Sequence, residues 1–300
     1  MDIVTHALIG TASAAGLFSS QPALAVGLVL GNVAPDLDAL SRIAGKHAFL
    51  RFHQTYTHSA GAIAVVLAVS GGLLIAGLAI WAQLAIGLAI GMMMHVGLDL
   101  TNSYGVKCLW PLSQRRFAMD WIFFIDAYVI ALCAMMLALQ FVFRSKEDVV
   151  TGLSIAFVAM LLFYVGLRRG IAAGAKRRLG SANALSASTS VIPTTGALFR
   201  FLVCRKTDGF AETFTFDARS GTETERRVVP ILDEDVPAAI IGCREWTVMR
   251  SLSDFYFCVE IDGNTYVGED LRIRNFGTHF GRLECQLGAE GELEKKRWDV

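Results

Sequence analysis

Apolar residues form long unbroken blocks over the first two thirds of the chain and short alternating runs over the last third. The block 60–80 carries no charge over 21 positions, ~31 Å as a helix and enough to cross a hydrocarbon core. The block 82–98 follows almost at once, so the two predict a tight hairpin of spans. A third span is predicted over 121–143, interrupted only by Asp126, and a fourth over 149–167. Ahead of them, 7–18 and 23–34 are apolar but parted by Ser19-Ser20-Gln21-Pro22. Each piece is about 12 residues, ~18 Å of helix and too short to span alone. The stretch is therefore one kinked span or a re-entrant helical hairpin. Only the hairpin returns His6 to the surface that carries Asp36, within roughly 10 Å of it, because a single crossing would part them by ~30 Å.

Beyond residue 197 the period changes. FRFLVCRK (199–206), ETFTFDA (212–218), WTVMRS (246–251), FYFCVEI (255–261) and RLECQLG (282–288) read as short strands, with Asp262-Gly263-Asn264 as a turn. Residues 179–197 are rich in Ser, Thr and Ala and read as linker. The predicted fold is an α-helical membrane domain of four spans plus the N-terminal broken segment, followed by a small mainly-β soluble domain. The boundaries are a membrane-embedded domain 1–170, a linker 171–197 and a β domain 198–300.

Composition agrees with a membrane protein: 54% of residues are hydrophobic and mean hydropathy is +0.48. The zero net charge hides an asymmetry, since residues 1–197 hold 13 Lys/Arg against 8 Asp/Glu and the remainder 14 against 19. No basic stripe with interleaved aromatics is present, which argues against a nucleic-acid partner. The connections 35–59, 99–120 and 168–178 carry eleven Lys/Arg, and the opposite side carries Arg144 and Lys146. Positive-inside bias then puts the first side, and the β domain, in the cytoplasm. The six cysteines form no CxxC pair and read as free thiols. The start, Met1-Asp2-Ile3-Val4-Thr5-His6, lacks the basic region of a signal peptide.

The chemistry is concentrated in the first 143 residues, which hold Asp2, Asp36, Asp38, Asp99, Asp120 and Asp126, no glutamate, and five of the six histidines. Isolated charges near lipid are costly, and a divalent cation is the partner that suits imidazole and carboxylate together. His95 and Asp99 end an apolar helix at i,i+4, on one face; the alternative is a His–Asp hydrogen bond without metal. His53 and His58 are five apart and cannot share a helical face, so His53 sits in a loop and His58 at the start of the next helix, where Thr57 could cap it. Asp36 and Asp38 follow Pro35, and alternation points them the same way. Arg115 and Arg116 bring cations to this surface, as anion binders or as topology-setting charge. Asp126 is a ligand or an acid that fixes a histidine tautomer.

These motifs in order, MDIVTHALIG, PDLD, HQTYTHS, HVGLDLTNSYG (His95 to Gly105) and the Arg116–Asp120 RxxxD, resemble the YdjM family over roughly residues 1–130. The resemblance implies a LexA-regulated (SOS-response), inner-membrane, metal-dependent hydrolase. It carries His6, Asp36, His53, His58, His95 and Asp99 over as metal-site residues. Where the family tends to have arginine after the first loop histidine, this chain has Gln54. More distantly, the family is similar to zinc phospholipase C and P1-type nucleases, which implies phosphoester cleavage.

The expected function is thus a membrane-bound metal-dependent hydrolase. It acts on a phosphoester or lipid-linked substrate at the cytoplasmic membrane surface, with Zn²⁺ (or Mn²⁺) as metal and Asp38 or Asp120 as general base. The alternatives are a non-enzymatic metal sensor or transporter, and a membrane anchor for the β domain. A transport path would need polar residues through the bilayer. Segments 60–80 and 149–167 offer only Ser, Thr and Tyr, and every candidate ligand lies at one end.

Overall fold

The computed structural model describes residues 1–182, 189–272 and 280–300. It divides into two compact units, Met1–Gly170 and Ile171–Val300.

The first unit is helical: α1 (Ile3–Ala14), α2 (Pro22–Val33), α3 (Lys46–Phe52), α4 (Ala60–Ile75), α5 (Ala79–Leu100), α6 (Ala127–Val142) and most of α7 (Glu147–Ala182). The Ser19–Pro22 break separates α1 from α2, which pack on each other. Pro22 starts α2, where its missing N–H costs nothing. The N-terminal stretch is therefore a helical hairpin and not one kinked helix. Asp2 caps α1, Ser59 caps α4 and Asp126 caps α6, each accepting backbone N–H groups of the first turn.

Among the described residues, three helices are long and apolar enough to cross a membrane: Pro22–Ala44 (which includes a 3-10 continuation of α2, Ala34–Ala44), Ala79–Leu100 and Glu147–Gly180. The expected spans 60–80 and 121–143 give shorter helices of 16 residues each. The first is cut by the left-handed turn at Gly77 (φ 74°), and the second starts only where Asp126 caps it.

Helices α2 and α5 meet backbone to backbone. A Cβ on Gly27 or Gly31 would strike the carbonyl of Leu84 or Leu88, and one on Gly87 or Gly91 would strike that of Leu24 or Leu28. Two GxxxG pairs facing each other permit this approach. It is what brings the end of α2 against the last turns of α5.

The second unit holds two four-stranded antiparallel sheets of consecutive hairpins, in the order β1-β2-β3-β4 and β5-β6-β7-β8. The first comprises β1 (Thr189–Pro193), β2 (Arg200–Lys206), β3 (Phe210–Asp217) and β4 (Glu223–Pro230). The second comprises β5 (Tyr256–Asp262), β6 (Thr265–Asp270), β7 (Leu283–Leu287) and β8 (Leu293–Trp298). Leu202 and Cys204 of one sheet share a core with Phe257, Val259 and Val267 of the other. The predicted Asp262-Gly263-Asn264 turn joins β5 to β6, with Gly263 at φ 55°.

Two expectations fail here. Residues 246–251 are helix, part of α9 (Arg244–Leu252), which follows the one-turn α8 (Ala238–Ile241). Its buried residues Trp246 and Met249 are three apart, a helical spacing that the β-rich residue types concealed. The expected linker 171–197 holds the end of α7 and all of β1; its middle, 183–188, lies outside the described residues.

Candidate metal centre

Four donors converge at the end of α5: Asp36 from the 3-10 turn after α2, His58 from the turn before α4, and His95 and Asp99 from α5. All four residues are buried. The i,i+4 pair sits as its spacing requires, with His95 Nε2 3.5 Å from Asp99 Oδ2.

Each imidazole is held by its far nitrogen. His95 Nδ1 lies 2.8 Å from the Asn32 carbonyl, which only accepts, so Nδ1 carries the proton. His58 Nδ1 lies 3.2 Å from Asp38 Oδ2 and donates to it. Both Nε2 atoms then face inward, 3.0 Å from each other. Two lone pairs cannot rest there without a cation between them, whether a proton or a metal ion. Burial works against charge on His58, but hydrogen bonds to Asp36 and Asp38 outweigh it and hold the imidazole above the ordinary histidine range.

The separations fit a metal ion. His58 Nε2 lies 3.4 Å from Asp36 Oδ1 and 3.5 Å from Asp99 Oδ2, and His95 Nε2 lies 3.6 Å from Asp36 Oδ1. A tetrahedron with ~2.1 Å bonds has edges of ~3.4 Å. Asp36 Oδ2 and Asp99 Oδ2 have no hydrogen-bond partner although both are buried. Buried carboxylates left in that state are expensive unless a cation compensates them. Asp36, His58, His95 and Asp99 could therefore hold a metal ion.

The remaining candidates take other places. His6 stacks on His95 with ring centroids 3.6 Å apart, and its Nε2 lies 3.1 Å from Asp99 Oδ1. The hairpin thus returns His6 to the residues that Asp36 joins, but as a neighbour that orients Asp99 and outside the group of four. Asp99 Oδ1 also meets the Met1 amino group and Asn102 Nδ2. His53, carried over as a ligand, gives its Nδ1 to Asp38 Oδ1 at 2.6 Å and stays a quarter exposed.

Asp38, expected as a general base, is enclosed by His53, the Gln54 N–H, the Thr57 hydroxyl and His58. Those donors use its lone pairs. Asp36 and Asp38 do not lie in parallel as alternation predicted: the chain there is 3-10, and the two carboxylates take opposite nitrogens of His58. Thr57 binds Asp38 and the Pro35 carbonyl and does not cap α4, since Ser59 does.

Asp126 is neither ligand nor histidine partner. It caps α6 and takes the Tyr164 hydroxyl on both oxygens at 2.8 and 2.9 Å. Asp120 lies outside the four, at a left-handed φ of 57°. Arg115 is exposed beside Phe117. Arg116 donates to the Gly105, His53 and Gln54 oxygens, tying the 53–54 turn to the segment after α5. Burial lowers its pKa to about 10, against the pull of Asp38, so it stays charged at neutral pH. Burial and the nearby Arg116 also lower Lys107. Sequence reading missed Asn32 and Asn102. Asn102 is legible as an i,i+3 neighbour of Asp99, whereas the Asn32 contact is a main-chain carbonyl that no side-chain pattern announces.

The family described as YdjM inner membrane protein matches residues 1–172, more than half of the chain and all the residues just placed. The chain belongs to the YdjM family. This membership and the three apolar helices make it a membrane protein. It is also 27% identical over 146 residues to YfhP, an uncharacterized protein of Bacillus subtilis (strain 168). That match spans 43% of this chain and 43% of YfhP, so the chain covers less than half of this relative. No solved structure matches.

Proposed function

We propose that this YdjM-family protein is a membrane-bound, metal-dependent hydrolase of phosphoester, lipid-linked substrates at the cytoplasmic membrane surface. The observation that carries the reading is the convergence of buried donors of Asp36, His58, His95 and Asp99, all within 4.8 Å of one another, with each imidazole Nε2 3.0–3.6 Å from the other and from both carboxylates. Two imidazoles and two carboxylates are a donor set suited to Zn²⁺, with Mn²⁺ as the alternative. A divalent cation bound there would supply Lewis acidity and a lowered pKa for bound water.

The chain's own residues do the rest. Asp38 fixes the His53 Nδ1 proton, which leaves His53 Nε2 to accept a proton from the attacking water. Lys107, Arg115 and Arg116 set positive charge near the turn that carries His53, suited to an anionic phosphate. The connections around these residues expose Leu40, Ile43 and Leu112 at 62%, 88% and 91%, which suits them to the headgroup–acyl boundary. The charge count across the connections supports a cytoplasmic site and β unit.

The test is metal analysis of detergent-purified protein together with hydrolysis of phospholipid and lipid-linked phosphoesters in mixed micelles. The expected result is bound divalent metal, turnover abolished by chelator and restored by Zn²⁺, and His53→Ala that keeps metal but loses turnover. If Asp120 moves the proton instead, Asp120→Asn gives that phenotype. Bound metal without turnover on any phosphoester would leave the non-enzymatic reading, and a metal-free folded protein would sink both.

A further inference from the structure

Four of the six cysteines lie in the second unit, at 204, 243, 258 and 285. Two of them are spent on the backbone: Cys204 Sγ donates to the Leu271 carbonyl at 3.3 Å and Cys258 Sγ to that of Glu260 at 3.6 Å. Cys243 and Cys285 instead lie within reach of each other's charge, each thiol acting on the other's titration. Cys243 is the residue before the first turn of α9 and is half-buried, while Cys285 is buried in β7.

Independent contacts hold the two elements together. Glu245, two residues after Cys243, reaches Lys296 at 2.7 Å, and Lys296 of β8 is the register partner of Cys285. Trp246 packs edge-on against Tyr256 of β5, with centroids 5.3 Å apart. The start of α9 is thus pinned over the strand that carries Cys285.

We propose that Cys243 and Cys285 form a dithiol that hydroperoxides oxidise reversibly to a disulfide. The less buried partner, Cys243, is the better nucleophile. Cys285 brings the Cys243 thiol down, helped by the Trp246 N–H and Lys296 and opposed by burial and Glu245. Cys243 in turn pushes Cys285 up. Thiolate is the reactive form, and the less buried, more acidic thiol supplies it.

In the first step the Cys243 sulfur attacks one peroxide oxygen. The O–O bond breaks, Cys243 becomes a sulfenic acid, and the other oxygen leaves as hydroxide or alkoxide, taking from solvent the proton released when the thiolate formed, to give water or alcohol. In the second, the Cys285 sulfur attacks the Cys243 sulfur, the S–O bond breaks, and the hydroxyl leaves as water with the Cys285 proton. Two electrons pass from the two thiols to the peroxide, and a small-molecule dithiol returns them.

The experiment uses the full chain in detergent, reduced, freed of reductant, treated with stoichiometric hydrogen peroxide and then alkylated and peptide-mapped. The peptides of Cys243 and Cys285 should join as one disulfide that dithiothreitol reverses. At pH 7, Cys243 should alkylate ~tenfold faster than Cys204 or Cys258 in the untreated chain. In Cys285→Ser the sulfenic acid on Cys243 should persist and be captured by dimedone. Should that variant fail to fold, peptide mapping of the wild type decides alone. Recovery of Cys243 and Cys285 as separately alkylated thiols after peroxide, or linkage of either to another cysteine, would overturn the proposal.

Discussion

The two units bury acidic side chains in opposite ways. In the β unit each buried acid has its own fixed cation: Asp270 takes two hydrogen bonds from Arg272, and Glu245 takes Lys296 at 2.7 Å. In the helical unit Asp36 and Asp99 crowd against the same two imidazoles, and the fixed cation beside them, the Met1 amino group, meets Asp99 Oδ1. One oxygen goes without a hydrogen bond at Glu245 as it does at Asp36 and Asp99, so the difference is that the helical unit pools two acids at one point while the β unit pairs each acid singly. Charge that the fold compensates reads as architecture, whereas charge that it leaves open reads as a place for a ligand.

The sharpest way to break this contrast is His95→Ala. Structural zinc sites are worth on the order of 10–16 kcal/mol, so loss of one of four donors should cost ~10³-fold in metal affinity, read by competition with a chelator. Unchanged affinity would place the metal elsewhere. On the other side, Arg272→Met should destabilise the β unit by ~3–5 kcal/mol by stranding Asp270, as seen by hydrogen exchange over β5–β8, and leave metal content unchanged. A finer test lies just outside the four donors. Asp38→Asn removes the acceptor that orients His53 and His58 and should weaken metal ~10–100-fold, with the fold intact by circular dichroism. Smallest is Tyr164→Phe, which takes a hydroxyl from Asp126. It should cost about 1.5 kcal/mol of helical-unit stability and nothing in metal affinity; a fall in metal would return Asp126 to the site.

A carboxylate in an apolar block is rare and makes Asp126 read as a site residue from sequence, but a helix start needs an acceptor just as a metal does, and Asp126 serves the helix. His53 and His58 carry the same side chain five positions apart. Only the course of the chain past Asp38 decides that one completes the inner group and the other faces the carboxylate behind it. Trp246, Thr247 and Val248 belong to residue types common in strands, and the burial of Trp246 and Met249 three apart on α9 emerged only with the fold around them.

What the sequence determined by itself rests on local physics. Long charge-free blocks demand helices in lipid, Ser19–Pro22 breaks one of them, and an i,i+4 pair must share a face. The tertiary structure decided which donors meet. Asp36, His58 and the pair on α5 come from segments far apart in the chain, and nothing local sets the distance between them. That distance depends on α2 and α5 approaching until Gly27 and Gly31 touch the backbone of Leu84 and Leu88, which lays the Asn32 carbonyl on His95 Nδ1 and turns Nε2 toward His58. A contact made by a main-chain carbonyl across two glycine-lined helices has no side-chain signature, so only the folded chain reveals it.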